Sequence, residues 1–102
     1  LDNLPILPIN LKELYCCNNE LQNLPEMSKN LTILDCSQNQ LKKLPKLPSK
    51  LTILDCSDNQ LIELPKLPST LNKLNCSYNK LLCLPDIPES LKKIYSFGNN
   101  IS

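Results

Sequence analysis

Leu51–Pro68 reads LTILDCSDNQLIELPKLP, and nearly the same line returns 20 residues earlier and 20 residues later. Leu31–Pro48 is LTILDCSQNQLKKLPKLP, and Leu71–Pro88 is LNKLNCSYNKLLCLPDIP. A fixed period of this length means that each copy is one structural unit too small to bury its own apolar face, so that neighbours must stack to make a core. The unit extends outward in both directions. Residues 1–10 match its second half, full copies occupy 11–30, 31–50, 51–70 and 71–90, and 91–102 starts another. We expect one repeat domain over 1–102. Solenoids need polar terminal caps and neither end reads as one, so we expect the ends to be covered by flanking sequence or by neighbouring subunits.

Written in register, the copies form columns. The first is Leu11, Leu31, Leu51, Leu71 and Leu91; the fourth is Leu14, Leu34, Leu54, Leu74 and Ile94. Asn19, Asn39, Asn59, Asn79 and Asn99 fill the ninth, Leu21, Leu41, Leu61, Leu81 and Ile101 the eleventh. Leu24, Leu44, Leu64 and Leu84 each precede a proline. This L-x-x-L-x-C-S-x-N-x-L pattern resembles the leucine-rich repeat over the whole chain. Its L-P-x-L-P tail is similar to the short repeats of secreted bacterial effectors, some of which carry a ubiquitin-ligase domain. L-P-rich, C-S-x-N repeats of this kind are also expected in large DNA viruses of amoebae.

The fold that follows is a β-rich solenoid, a right-handed arc with one short parallel strand per turn and an extended, polyproline-like convex side. Local chemistry agrees. In Leu51–Ser57 the side chains of Leu54 and Cys56 alternate with Ile53, Asp55 and Ser57, the period of a strand. The first pair should point inward and the second set outward onto a concave face. Pro65 and Pro68 fix φ and remove donors, which favours extended backbone on the return limb. Gly occurs once, at Gly98, so asparagines are expected to serve many of the turns. The asparagine column should be a buried ladder, each amide bridging backbone groups of adjacent turns. Leu54→Ala should cost about 2–5 kcal/mol as a buried large-to-small change.

Composition narrows the function classes. The net charge is +1, every cation is Lys, and Arg and His are absent. Nucleic-acid binders show a basic excess and use planar Arg forks, so no nucleic-acid partner is expected. Without His there is no Cys–His or Ser–His–Asp chemistry, and no enzyme activity or cofactor is expected. No apolar run approaches the roughly 20 residues of a spanning helix. The opening LDNLPILPIN has neither a basic nor a continuous apolar segment of the signal-peptide kind. Ala, Val, Arg, His and Trp are missing while Lys, Asn, Ile and Leu abound, a bias that suits an AT-rich genome.

Six cysteines are present. Cys16, Cys36, Cys56 and Cys76 share one inward column that Ser96 continues, and there a free thiol packs as a small hydrophobe. Side chains on successive rungs form a line, not the tetrahedron zinc requires, and parallel side chains are poorly placed for disulfides. A reducing, intracellular setting is the simplest account: cytoplasm, host cytoplasm for an effector, or a virion. Cys17 and Cys83 should be the exposed thiols. Cys56-Ser57-Asp58 matches the C-x-D motif of effector ligases on paper. Its sister copies read C-S-Q and C-S-Y, which makes it a variant of the repeat. Asn30-Leu31-Thr32, Asn75-Cys76-Ser77 and Asn100-Ile101-Ser102 fit the glycosylation pattern, which matters only in a secretory pathway.

A partner should meet the concave face. Its central column is Tyr15, Asp35, Asp55, Asn75 and Tyr95, flanked by Glu13, Ile33, Ile53, Lys73 and Lys93 on one side. On the other side come Cys17, Ser37, Ser57, Ser77 and Phe97, then Asn18, Gln38, Asp58, Tyr78 and Gly98. Asp35, Asp55 and Asp58 with Ile33 and Ile53 make an acidic, apolar-edged centre. Lys73 and Lys93 with Tyr78, Tyr95 and Phe97 make a basic, aromatic end. The expected partner is a protein or peptide presenting Lys or Arg to the centre and an acid near the end. Lys42, Lys43, Lys46 and Lys50 form a second, convex cluster, read as solvated. The function implied is a non-catalytic protein-interaction module. The alternatives are the substrate-recognition segment of a bacterial ubiquitin-ligase effector and a structural subunit of a larger, viral assembly.

Overall fold

The structure, a computed structural model, describes residues 3–101. Leu1 and Asp2 of the opening half-copy, and Ser102 of the third glycosylation pattern, lie outside the described residues. Five three-residue strands follow one another: β1 Glu13–Tyr15, β2 Ile33–Asp35, β3 Ile53–Asp55, β4 Lys73–Asn75 and β5 Lys93–Tyr95. They pair in chain order as one parallel sheet. The register is one full period throughout, so that Leu34 stands opposite Leu54 and Asp35 opposite Asp55. Each turn therefore lays an equivalent residue on its predecessor, and the chain builds an arc 38 × 29 × 16 Å in extent.

The core is a stack of leucines. Leu31, Leu34, Leu41, Leu51, Leu54, Leu61, Leu71, Leu74 and Leu81 are fully buried, as are Cys36, Cys56 and Cys76. Burying one such leucine contributes about 1.5–3 kcal/mol, and the rungs add because each touches only its neighbours. The return limb contains no helix among the described residues, as its prolines require. Leu44, Leu47, Leu64 and Leu67 turn inward from it and close the second side of the core. The last rung has no successor among the described residues, and Ile94 is 40% exposed there although its column is core elsewhere.

The asparagine column is a ladder. Asn59 Nδ2 donates to the carbonyl of Cys36 on the preceding rung at 3.0 Å and to Cys56 and Ser57 on its own at 3.1 Å. Its Oδ1 accepts the N–H of Leu41 at 2.9 Å. Asn39 and Asn79 repeat the pattern one turn away on either side. No buried side-chain nitrogen or oxygen lacks a partner among the described residues.

Two expectations about the loop after the strand are corrected. Asparagine does not serve most of the turns: the left-handed residues are Asn18, Gln38, Asp58, Tyr78 and Gly98, with φ of 58, 55, 56, 58 and 66°. The turn needs that dihedral one position before the ladder, where only the first copy has Asn. Ser57 and Ser77 were expected on the outward face and are instead 7% and 3% exposed. The strand ends at Asp55, so the period of two no longer holds by Ser57, and the chain is already bending toward the left-handed residue.

Candidate functional site

The strands are only three residues long, so their outward side chains make a narrow strip rather than a broad sheet face. Tyr15, Ile33, Asp35, Ile53, Asp55, Lys73, Asn75 and Tyr95 line one depression of about 400 Å³ on this strip, floored by Leu34 and Leu54. These are the expected central column and part of its flanking column, brought together by the in-register pairing. Asp58, Tyr78, Lys93 and Phe97 do not line it. Asp58 and Tyr78 are exposed, in the left-handed position of their loops. Lys93 lies beside Lys73 in register on the last strand, and Phe97 lies beyond Tyr95, their ring centroids 6.4 Å apart.

Ile33 and Ile53, expected to face solvent, are half-buried and directly opposite each other. They form the apolar wall of the groove. The carboxylates of Asp35 and Asp55 are partly committed to the chain itself. Asp35 Oδ1 accepts the Ser37 N–H at 3.1 Å and its hydroxyl at 2.7 Å, and Asp55 Oδ1 accepts the same groups of Ser57 at 3.0 and 2.7 Å. Each acid therefore closes its own strand end before it can meet a partner. Asn75 does the same with the Ser77 N–H at 3.1 Å. The signal was present in the sequence as Asp-x-Ser and Asn-x-Ser, the spacing at which such side chains bond backbone two residues on. With Oδ1 used, Oδ2 of each aspartate is the oxygen left for the groove, and repulsion across the pair is reduced by those donors.

At the first rung the Tyr15 hydroxyl donates to Glu13 at 2.9 Å, and this bond holds the phenol above its ordinary pKa. Behind the strip all six cysteines are free thiols, four buried and Cys17 and Cys83 exposed. Burial pushes Cys16 and Cys76 up to about 11, and Cys36 and Cys56 are pushed higher still for the same reason. Such thiols stay protonated near neutrality and are poor nucleophiles. The described residues contain no group of three or more His, Cys, Asp or Glu side chains placed to hold a metal ion.

The expected convex lysine cluster is not one surface. Lys42 and Lys43 line a flank with Gln40, Gln60 and Glu63, whereas Lys46 and Lys50 line a different depression with Pro45 and Pro48. The two pairs line separate depressions, and Lys50 Nζ donates to Asn30 Oδ1 at 3.3 Å. Sequence reasoning also missed the flank itself. Ile62 and Leu82 occupy one column on adjacent turns and are 58% and 64% exposed.

Comparison with known proteins places the chain. A model of two leucine-rich repeats matches residues 9–49 and a single-repeat model matches residues 50–72, together more than half of the chain. The matches indicate no enzymatic family. Among solved structures, the leucine-rich repeat domain of a Shigella effector is 39% identical, superposes with a TM-score of 0.96, and is matched over 97% of this chain and 46% of that one. YopM of Yersinia enterocolitica is 43% identical with a TM-score of 0.96, over 97% of this chain and 22% of that one. YopM of Yersinia pestis, described as a leucine-rich effector protein, is 40% identical with a TM-score of 0.97, over 99% and 29%. The chain thus spans less than half the length of each of these structures. A search of curated protein sequences finds no match. Among the described residues no helix is long and apolar enough to cross a membrane.

Proposed function

The chain belongs to the leucine-rich repeat family, whose arcs generally bind proteins, and on that premise we propose that it is a non-catalytic recognition module that receives a protein partner in the concave groove. The observation that carries this reading is the gathering of Tyr15, Ile33, Asp35, Ile53, Asp55, Lys73, Asn75 and Tyr95 around one depression. Beyond the strand-end bonds of Asp35, Asp55 and Asn75, those side chains have few structural duties. The leucines and asparagines hold the arc, and the groove positions vary from copy to copy while the frame does not. Aromatic residues beside charged ones are the usual anchors of an interface.

The partner expected from this surface offers a cation to the Asp35–Asp55 centre and an anion to the Lys73–Lys93 end. The likeness to bacterial effector repeats supports a more specific version, in which the arc is the partner-recognition segment of an effector-like protein. Any catalytic step would then lie outside these residues. Capture of a protein from cell extract is expected to fall with Asp55→Lys and with Tyr95→Ala, and to be indifferent to Leu82→Asp on the flank. Capture unchanged by both groove substitutions overturns the groove as the contact surface.

A further inference from the structure

Resting on the reading of the groove as the contact surface, we propose that its occupant is a single amphipathic α-helix of the partner. The helix lies along the arc axis and carries a Lys or Arg seven residues away from an Asp or Glu on the same face, with an apolar residue between them.

The spacing of the rungs selects the helix. Groove side chains repeat once per strand, at the separation of hydrogen-bonded strands, about 4.8 Å. An α-helix presents one side chain per turn along a face at about 5.4 Å, which follows the rungs with a drift of about 2 Å over four of them. An extended strand shows a side chain to one face only every second residue, about 6.7 Å. A polyproline segment shows one every third, about 9.3 Å. Either would leave every second rung uncovered or straddled. The strip offers something to cover on each rung: Asp35 and Ile33, Asp55 and Ile53, Asn75 and Lys73 in the groove, then Tyr95 with Lys93 beside it in register. The three-residue width of each strand, about 10 Å, also matches the diameter of one helix, about 10–12 Å.

Polarity selects the residues. The centre presents acceptors, because the serine donors take Oδ1 of both aspartates and leave Oδ2. The far end presents donors. Lys73 and Lys93 are in register and exposed, and the Ser77 N–H takes the oxygen of Asn75, leaving its Nδ2 group for the groove. The midpoints of the two halves are two rungs apart, about 10 Å. In a helix, residues i and i+7 share a face at about 10.5 Å. The residue one turn on, at i+3 or i+4, then falls between β3 and β4, next to Ile53 at the inner edge of the acidic half. Like charges face each other across both halves, so one cation and one anion from the partner relieve repulsion twice.

The test uses two phage-displayed libraries of equal diversity panned on the whole chain, one on a single-helix scaffold and one of linear, proline-containing peptides. The expected result is groove-directed binders from the helix library that carry a basic and an acidic residue seven apart. Their affinity should fall about tenfold with Asp55→Asn, which removes the charge and keeps the Ser57 bonds, and about tenfold with Lys73→Glu. The Lys73→Glu loss should be recovered when the acid of the binder is changed to Lys. Groove-directed binders that come from the linear library, or helices without that spacing, overturn the helix and leave the groove standing. No binder, or binders indifferent to Asp55→Asn, Lys73→Glu and Tyr95→Ala, overturn both.

Discussion

The eighth and ninth positions of each turn stand side by side, and they behave in opposite ways. The ninth is Asn in all five rungs, while the eighth is Asn18, Gln38, Asp58, Tyr78 and Gly98. Yet the eighth carries the more demanding backbone, a left-handed φ in every copy. Left-handed backbone costs a non-glycine residue about 1–2 kcal/mol, and a rung stacked between two others can absorb that. A missing ladder amide leaves the Leu N–H of the preceding rung without a partner, at about 1–3 kcal/mol for that buried group, and takes one of two donors from carbonyls on two rungs. Buried hydrogen bonding therefore fixes residue type here more firmly than backbone strain does. The position freed from that constraint is the one that varies from copy to copy.

The contrast can be tested, beginning with the perturbation that reaches several rungs at once. The ladder donates to the carbonyls of Cys36, Cys56 and Cys76, and the thiol pKa values of these residues are raised by burial. An unfolded thiol ionises near 9 while Cys16 and Cys76 hold their protons to about 11. The unfolded chain thus binds fewer protons above pH 9, and stability is full below that value and lost as pH rises toward 11 and beyond. Urea unfolding at stepped alkaline pH should show this fall, and Cys56→Ala should flatten it. An unchanged slope in that variant would mean that the buried column does not govern it.

Next in size, Asn59→Ala should cost about 1–3 kcal/mol, measured by urea unfolding, since the Leu41 N–H loses its only partner and three carbonyls each lose one of two donors. A loss below 1 kcal/mol would erase the distinction between the two columns. Gly98→Ala should cost about 1–2 kcal/mol: its φ is 66°, and a Cβ there would fall 2.5 Å from Tyr78 Cδ1. The ring must then move, and a change in tyrosine fluorescence should accompany the loss. The smallest effect is a gain. Gln38→Gly should stabilise by about 0.5–1 kcal/mol by removing left-handed strain, read as a rise in the urea midpoint. The same exchange at Asn39 should destabilise instead, and equal signs at the two positions would refute the argument.

Much of the arc could be counted off the sequence. A 20-residue period leaves Leu54, Cys56 and Asn59 only one kind of place, and the in-register sheet put them there. The groove was legible where residues lie within strands, as with Asp35, Asp55 and Asn75. It was not legible past the strand end, where Ser57 and Ser77 turned inward and Asp58 and Tyr78 fell outside the groove lining. Periodicity of two describes extended backbone only, and a single left-handed residue ends it.

The sequence by itself determined the period, the leucine core, the asparagine ladder and the sign of charge at each rung, because a repeated side chain in a stacked coil meets the same surroundings every turn. The tertiary structure alone decided which polar atoms remain for a partner. Asp35 and Asp55 spend one oxygen on Ser37 and Ser57, Asn75 spends its carbonyl on Ser77, and the convex lysines part to two sides. Those outcomes depend on where three-residue strands stop and how the chain bends next, a matter of angles and distances that residue counting does not carry.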